Sequence, residues 1–89
     1  MFGAIEFENF TALTDLPPGY KEAWEAVKGL IGVGYKPLLC AGKQLVHGMN
    51  YFFIAEQTLS TRTPERHLVK VKVYVLDDEA QKVNIERII

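Results

Sequence analysis

The sequence is short of cysteine, of excess charge and of long apolar runs. Its single cysteine among 89 residues, Cys40, excludes a disulfide within the chain and a metal site built from several cysteines. The 10 basic and 11 acidic side chains leave a net charge of −1, so the chain has no bulk attraction for nucleic acid or an anionic membrane. No apolar run approaches the roughly 18 to 20 residues that span a bilayer.

The remaining composition is that of one small folded domain. Hydrophobic residues make up 48% of the chain and charged residues 24%, which predicts a single domain over residues 1–89. A chain of this size leaves little room for a cofactor-binding domain. The first eight residues lack the basic and apolar segments of a signal peptide. Together with the lone cysteine, this predicts a cytoplasmic protein.

One short strand and one helix are predicted in the first third of the chain. Ile5 and Phe7 alternate with acidic residues, a pattern typical of a half-buried strand. A helix is predicted over about residues 17–31, with Asp15 capping its free N–H groups. Its expected apolar face consists of Tyr20, Ala23, Trp24, Val27, Leu30 and Ile31.

The rest of the chain predicts four strands. They cover residues 35–43, 49–58 and 67–76 and a last segment from Val83 onward. Pro37 predicts an edge position or a bulge in the first of them. Because short turns join antiparallel neighbours, we expect an α+β fold in which one helix packs on a curved antiparallel sheet, in the order β-α-β-β-β-β.

No set of residues with catalytic or metal-binding spacing is present. Cys40 stands in an apolar stretch, where a free cysteine is usually a small buried hydrophobe. His67 opens a strand beside a turn, and we expect it at the surface. Lys70, Lys72 and Tyr74 form a patch too weak for nucleic acid. The sequence therefore favours a protein that is not an enzyme and has no cofactor, no metal, no nucleic-acid partner and no membrane contact.

The segment 44–53 is the most informative part of the sequence. It joins two predicted strands through a short turn, in which Gly48 can supply a positive φ. Leu45 and Val46 are apolar residues at or near the tip of this hairpin, which makes the tip a candidate contact surface. The alternative is that both residues belong to the strands and the tip lies elsewhere.

This segment resembles a known signature. Gln44-Leu45-Val46-His47-Gly48 resembles the Gln-x-Val-x-Gly motif of the cystatins and stefins, and the stretch 50–54 is similar to the Asn-Tyr-aromatic sequence that follows it. The resemblance implies a cystatin-like fold and reversible inhibition of papain-like cysteine proteases. It implies a wedge made of a leader around Gly3, the hairpin at Gln44, Leu45, Val46, His47 and Gly48, and a second hairpin.

Three features depart from the family pattern, and one of them is a short leader, because residues 3–10 enter their predicted strand early. The second hairpin carries Asp77, Asp78 and Glu79 where many cystatins have a Pro-Trp pair, and His47 is bulkier than the small residue common at its position. These departures leave a second hypothesis open. It is a non-inhibitory cystatin-like module that binds another protein or forms a homodimer through exposed strand edges.

Overall fold

The computed structural model describes residues 12–30, 32–59, 62–63 and 65–89. Within them, one helix precedes four strands. The elements are α1 (Tyr20–Lys28), β1 (Val33–Val46), β2 (Gly48–Leu59), β3 (Glu65–Leu76) and β4 (Glu79–Arg87). The strands form one sheet in the order β1-β2-β3-β4, and every neighbour is antiparallel. The predicted α+β class, with a helix on an antiparallel sheet, is confirmed.

The predicted leading strand around Ile5 and Phe7 lies outside the described residues. The described part of the chain therefore runs helix first and then four strands. Gly3, the first of the predicted binding residues, also lies outside this part.

The core lies between α1 and one face of the sheet. Because side chains alternate across a strand, every second residue of β2 and β3 points toward the helix. The fully or almost fully buried residues are Ala23, Trp24, Val27, Phe53, Ala55, Val69, Val71 and Val73. The Trp24 ring lies 5.0 Å from that of Phe53, so the largest helix side chain packs against the largest core side chain of the sheet.

The helix is shorter than predicted, and its cap is a different residue. Gly19, at φ +88°, precedes the first turn, and its N–H donates to the Glu22 carboxylate over 2.6 Å. Asp15 is not the cap, because the prolines that follow it form a turn ahead of the helix. Gly29 ends the helix, and Leu30 is 39% exposed rather than part of the buried face.

Irregularities in β1 bend one edge of the sheet. The register between β1 and β2 shifts at Pro37/Leu39 and again at Cys40/Gly42. Pro37 predicted an edge position or a bulge, and the bulge is confirmed; within the described strands β1 also lies at one edge of the sheet. The outer side of β1 accepts at least one hydrogen bond, because the Leu13 N–H donates to the Pro37 carbonyl over 2.8 Å.

Candidate functional site

Two hairpins meet at the same end of the sheet. The first, which we call the tip hairpin (residues 44–50), turns at His47, with Val46 opposite Gly48. The second, the acidic turn (residues 77–79), follows directly from the strand pair β3–β4. Met49 pairs with Val75 across β2 and β3, so the two turns are neighbours in space.

The tip hairpin presents its apolar residues to solvent. Leu45 is 79% exposed and Val46 is 43% exposed, although both belong formally to β1. Leu45 and Val46 therefore belong to the strand and also form the tip, because β1 runs up to the turn. An aliphatic side chain that remains this exposed is available to a partner protein.

Gly48 makes the tight turn sterically possible. Its φ is +103°, a region that side chains rarely adopt, and a Cβ at this position would lie 2.5 Å from the Val75 carbonyl oxygen. It would also approach the Tyr74 ring to 2.9 Å. The glycine thus allows the turn to form and allows the tip hairpin to lie close against β3.

A tyrosine on β3 holds the turn from the side. The Tyr74 hydroxyl donates a hydrogen bond to the His47 carbonyl. A second bond crosses the hairpin, from the Asn50 amide to the Gln44 side-chain oxygen over 3.4 Å. Tyr74 was not among the predicted site residues. Its outward position on the strand was readable, but its contact with a residue 27 positions away depends on the register of three strands.

The structure brings five of the six predicted site residues together. They are Gln44, Leu45, Val46, His47 and Gly48, all within the tip hairpin and, except for half-buried Gly48, all exposed. The sixth, Gly3, is outside the described residues.

The acidic turn differs from the tip hairpin in chemistry and in backbone. Asp77 and Asp78 both have positive φ, at 51° and 62°, as a two-residue turn of the primed type requires. Both side chains and that of Glu79 are exposed. The Gln81 side-chain amide donates to the Glu79 carbonyl over 3.0 Å, which is a hydrogen bond within the first residues of β4. This turn offers carboxylates to a partner and no apolar side chain.

The opposite end of the sheet, which we call the far end (Tyr35, Glu56, Gln57, Arg66 and His67), is polar and partly buried. Arg66 donates two hydrogen bonds to the Glu56 carboxylate, at 3.1 and 2.9 Å, and Glu56 is only 2% exposed. These hydrogen bonds are the main reason that the pKa of Glu56 lies below its ordinary value, against the effect of its burial. The ion pair therefore keeps a buried carboxylate charged.

Three further polar side chains, those of Tyr35, Gln57 and His67, lie at the far end. The Gln57 amide donates to the Tyr35 hydroxyl over 3.0 Å. His67 is half-buried rather than at the surface, and its Nε2 has no hydrogen-bond partner among the described residues. The expectation of an exposed histidine is wrong because His67 pairs with Gln57 on a central strand of the sheet.

Cys40 is placed as a packing residue. It is half-buried, contacts the core and has a pKa raised by burial, which disfavours the reactive thiolate. It lies seven positions before His47, which follows β1. His67 is two strands away and is displaced by a further four residues, about 13 Å at 3.3 Å per residue, along the strand direction. Neither histidine reaches the thiol for general-base chemistry.

Two other site classes find no support within the described ranges. Their His, Cys, Asp and Glu residues form no group of three or more that could hold a metal ion. None of their helices has the length and apolar character needed to cross a membrane. Compared with known proteins, the chain matches no family model, no curated protein and no solved structure.

Proposed function

We propose that this protein is a reversible, non-covalent inhibitor of papain-like cysteine proteases, with a cystatin-like fold. The observation that carries the proposal is the tip hairpin. A Gln-x-Val-x-Gly sequence stands at an exposed apolar turn, and Tyr74 and Gly48 hold that turn in one conformation. Sequence and geometry thus support the same contact surface.

Occlusion of the active-site cleft is the mechanism that this geometry supports. A protease cleft is concave and has apolar subsites, which suit the side chains of Leu45 and Val46. A hairpin that is already ordered loses little conformational entropy on docking, so its apolar contacts contribute to affinity. In the proposal no peptide bond of the inhibitor needs to lie at the protease thiolate, so inhibition is occlusion without a covalent step.

The leader around Gly3 is the second proposed part of the wedge. Gly3 falls where the stefin branch of the family carries its N-terminal glycine, and this resemblance supports its part in the proposal. In the proposal, Met1 and Phe2 then fill substrate pockets, and Gly3 lets the chain turn away from the catalytic thiolate.

The acidic turn makes the third part of the wedge weaker than the first. Carboxylates at Asp77, Asp78 and Glu79 contribute charge complementarity rather than buried apolar area. We therefore expect affinities in the nanomolar-to-micromolar range, with the tip hairpin providing most of the binding energy.

A titration of papain with the purified protein tests the proposal. We expect inhibition by the native protein and inhibition weaker by about 100-fold for Leu45→Asp, since this change places a charge where an apolar contact is required. Leu39→Asp is the matched control. Leu39 lies on the same strand, is 54% exposed and is remote from the tip, so this variant should inhibit like the native protein.

Unchanged papain activity at high micromolar inhibitor would refute the proposal for this class of protease. Equal losses from Leu45→Asp and Leu39→Asp would instead show that the tip hairpin is not the contact.

The second candidate is a non-inhibitory module that binds a partner or itself. The observations that favour it are the acidic turn and the two sheet edges, β1 and β4, that have no neighbouring strand among the described elements. Sedimentation would separate the cases, because a homodimer formed through an edge should dissociate on dilution, whereas the proposed inhibitor is active as a monomer.

A further inference from the structure

The face of the sheet that points away from α1 carries a groove of about 610 Å³. Half-buried Phe52 and Ile54 of β2 lie in the groove, and Lys70 and Lys72 of β3 stand at its side. Glu86 of β4 completes the far rim. Apolar surface is thus exposed between charged side chains on a face that α1 does not cover.

This face has an excess of positive charge. The register places on it the basic residues Lys36, Arg66, Lys70, Lys72 and Lys82 and the acidic residues Glu56, Glu79 and Glu86. Glu56 is paired with Arg66 at 2.9 Å and Glu86 with Lys70 at 3.5 Å, while Glu79 belongs to the acidic turn at the tip end. Five of the ten basic residues of a chain with net charge −1 therefore share one face.

We propose that this groove binds an acidic peptide segment that carries an apolar side chain. The apolar residue would lie over Phe52 and Ile54, and a carboxylate two positions along the peptide would pair with Lys72. Residues two apart in an extended chain point to the same side and are about 7 Å apart, so one face of the ligand can carry both groups. Lys70, which already pairs with Glu86, adds positive charge at the side of the groove.

The groove favours a peptide over single-stranded nucleic acid. Nucleic-acid binding on a sheet face requires exposed aromatic rings on which bases stack. Here Phe52 is half-buried and Ile54 is aliphatic, so the floor of the groove offers no exposed aromatic ring. The Glu86 carboxylate on the rim would also repel a continuous row of phosphates. The inference does not require protease inhibition, because the groove lies away from the tip.

Binding of a defined probe tests the proposal. The probe is a fluorescent peptide in which Glu and Leu or Phe occupy every second position in turn, with Ser between them, so that both lie on one face of the extended chain. It is titrated with the full chain at low salt, and binding is followed by the amide chemical shifts of the protein. We expect a dissociation constant below roughly 1 mM, with shifts grouped on residues of the groove. Lys72→Glu should weaken binding about tenfold, because it reverses a charge beside the apolar floor. Added salt should weaken it further.

Lys21→Glu is the matched control, since it makes the same charge reversal on the exposed side of α1. It should bind the probe like the native protein. The proposal is overturned if the peptide does not bind, if the two variants lose affinity equally, or if the shifts lie on the helix. It is also overturned if a single-stranded oligouridylate binds the groove in preference to the peptide.

Discussion

The two ends of the sheet are built in opposite ways. At the tip end, apolar Leu45 and Val46 are exposed, and the backbone is held by Gly48 and by the hydroxyl of Tyr74. At the far end, polar side chains are buried or half-buried, and Glu56 is paired with Arg66. The tip end exposes apolar side chains, which folded proteins usually bury. The far end buries polar side chains, which folded proteins usually expose.

The difference shows how binding and stability can be separated within one short domain. Changes at the far end should alter the free energy of unfolding and leave the contact surface intact. Changes to the side chains at the tip should alter binding first, because those side chains contribute little to the core. Backbone changes at the tip should affect both, since the turn is packed against β3.

The largest expected effect is that of Gly48→Ala. A Cβ 2.5 Å from the Val75 carbonyl, at φ +103°, forces the turn away from β3, and we expect a loss of at least about 2 kcal/mol of stability. Urea unfolding measures it. Gly34→Ala is the control, because a Cβ there meets nothing nearer than 3.8 Å and the stability should change by less than about 1 kcal/mol. Similar losses in both variants would contradict the proposed role of Gly48.

At the far end, Glu56→Gln should lower stability by about 1–2 kcal/mol at neutral pH. The pKa of Glu56 lies below its ordinary value of 4.5, chiefly through hydrogen bonds from Arg66. The charged carboxylate therefore stabilises the fold fully above about pH 4.5, and this contribution is lost as the pH falls through the lowered pKa.

Unfolding of the native protein and of Glu56→Gln, measured between pH 7 and pH 3, tests this pH dependence. We expect the difference in free energy of unfolding between the two proteins to become smaller in acid. Papain inhibition at neutral pH should be the same for both. Glu25→Gln, which removes a carboxylate 61% exposed on α1, should change stability by less than about 0.5 kcal/mol. If the difference in free energy of unfolding between the native protein and Glu56→Gln were the same at all pH values, the charge of Glu56 would not be what stabilises the far end.

Two tyrosine-to-phenylalanine changes compare the ends directly. Tyr74→Phe and Tyr35→Phe each remove one hydroxyl that takes part in a hydrogen bond, so each should reduce stability by about 1 kcal/mol. Only Tyr74→Phe should weaken papain inhibition, by roughly five- to tenfold, because the tip hairpin is then less ordered before docking. Equal inhibition by the two variants would mean that the Tyr74 bond does not position the tip.

The smallest expected effect is a gain in stability. Asp78 adopts a φ of 62°, which glycine tolerates better, so Asp78→Gly should stabilise the protein by about 0.5–1 kcal/mol. Thermal unfolding measures the gain. Asp15→Gly, at an exposed position without positive φ, should give none. A loss of stability in Asp78→Gly would reveal a stabilising contact made by the carboxylate.

The fold was predictable where the side-chain pattern was regular. Val69, Val71 and Val73 alternate with lysines, and that pattern can bury only one face of a strand. The helix boundaries were less predictable, because Pro17 and Pro18 suit either a first helical turn or a turn ahead of it. The helix begins after Gly19, which lies close to Tyr51, and no local sequence pattern reveals this contact.

The residues of the candidate site were predictable from the sequence, but the contacts that position them were only partly predictable. The motif at residues 44–48 identified the tip hairpin, but the support from Tyr74 requires the β2–β3 register. The same holds for the ion pair of Glu56 and Arg66, which joins residues ten positions apart on neighbouring strands. His67 illustrates the limit, since a polar residue at a strand end is buried or exposed according to what packs over it.

By itself, the sequence determined the periodic features, namely a helix with one apolar face, strands with one buried side and a glycine turn between two of them. These follow from residue-by-residue preferences that act over a few positions. Tertiary structure alone decided which surfaces remain open, because exposure depends on residues far apart in the chain. It left Leu45 and Val46 in solvent, buried Glu56, and gathered half of the basic side chains on the face that α1 does not cover.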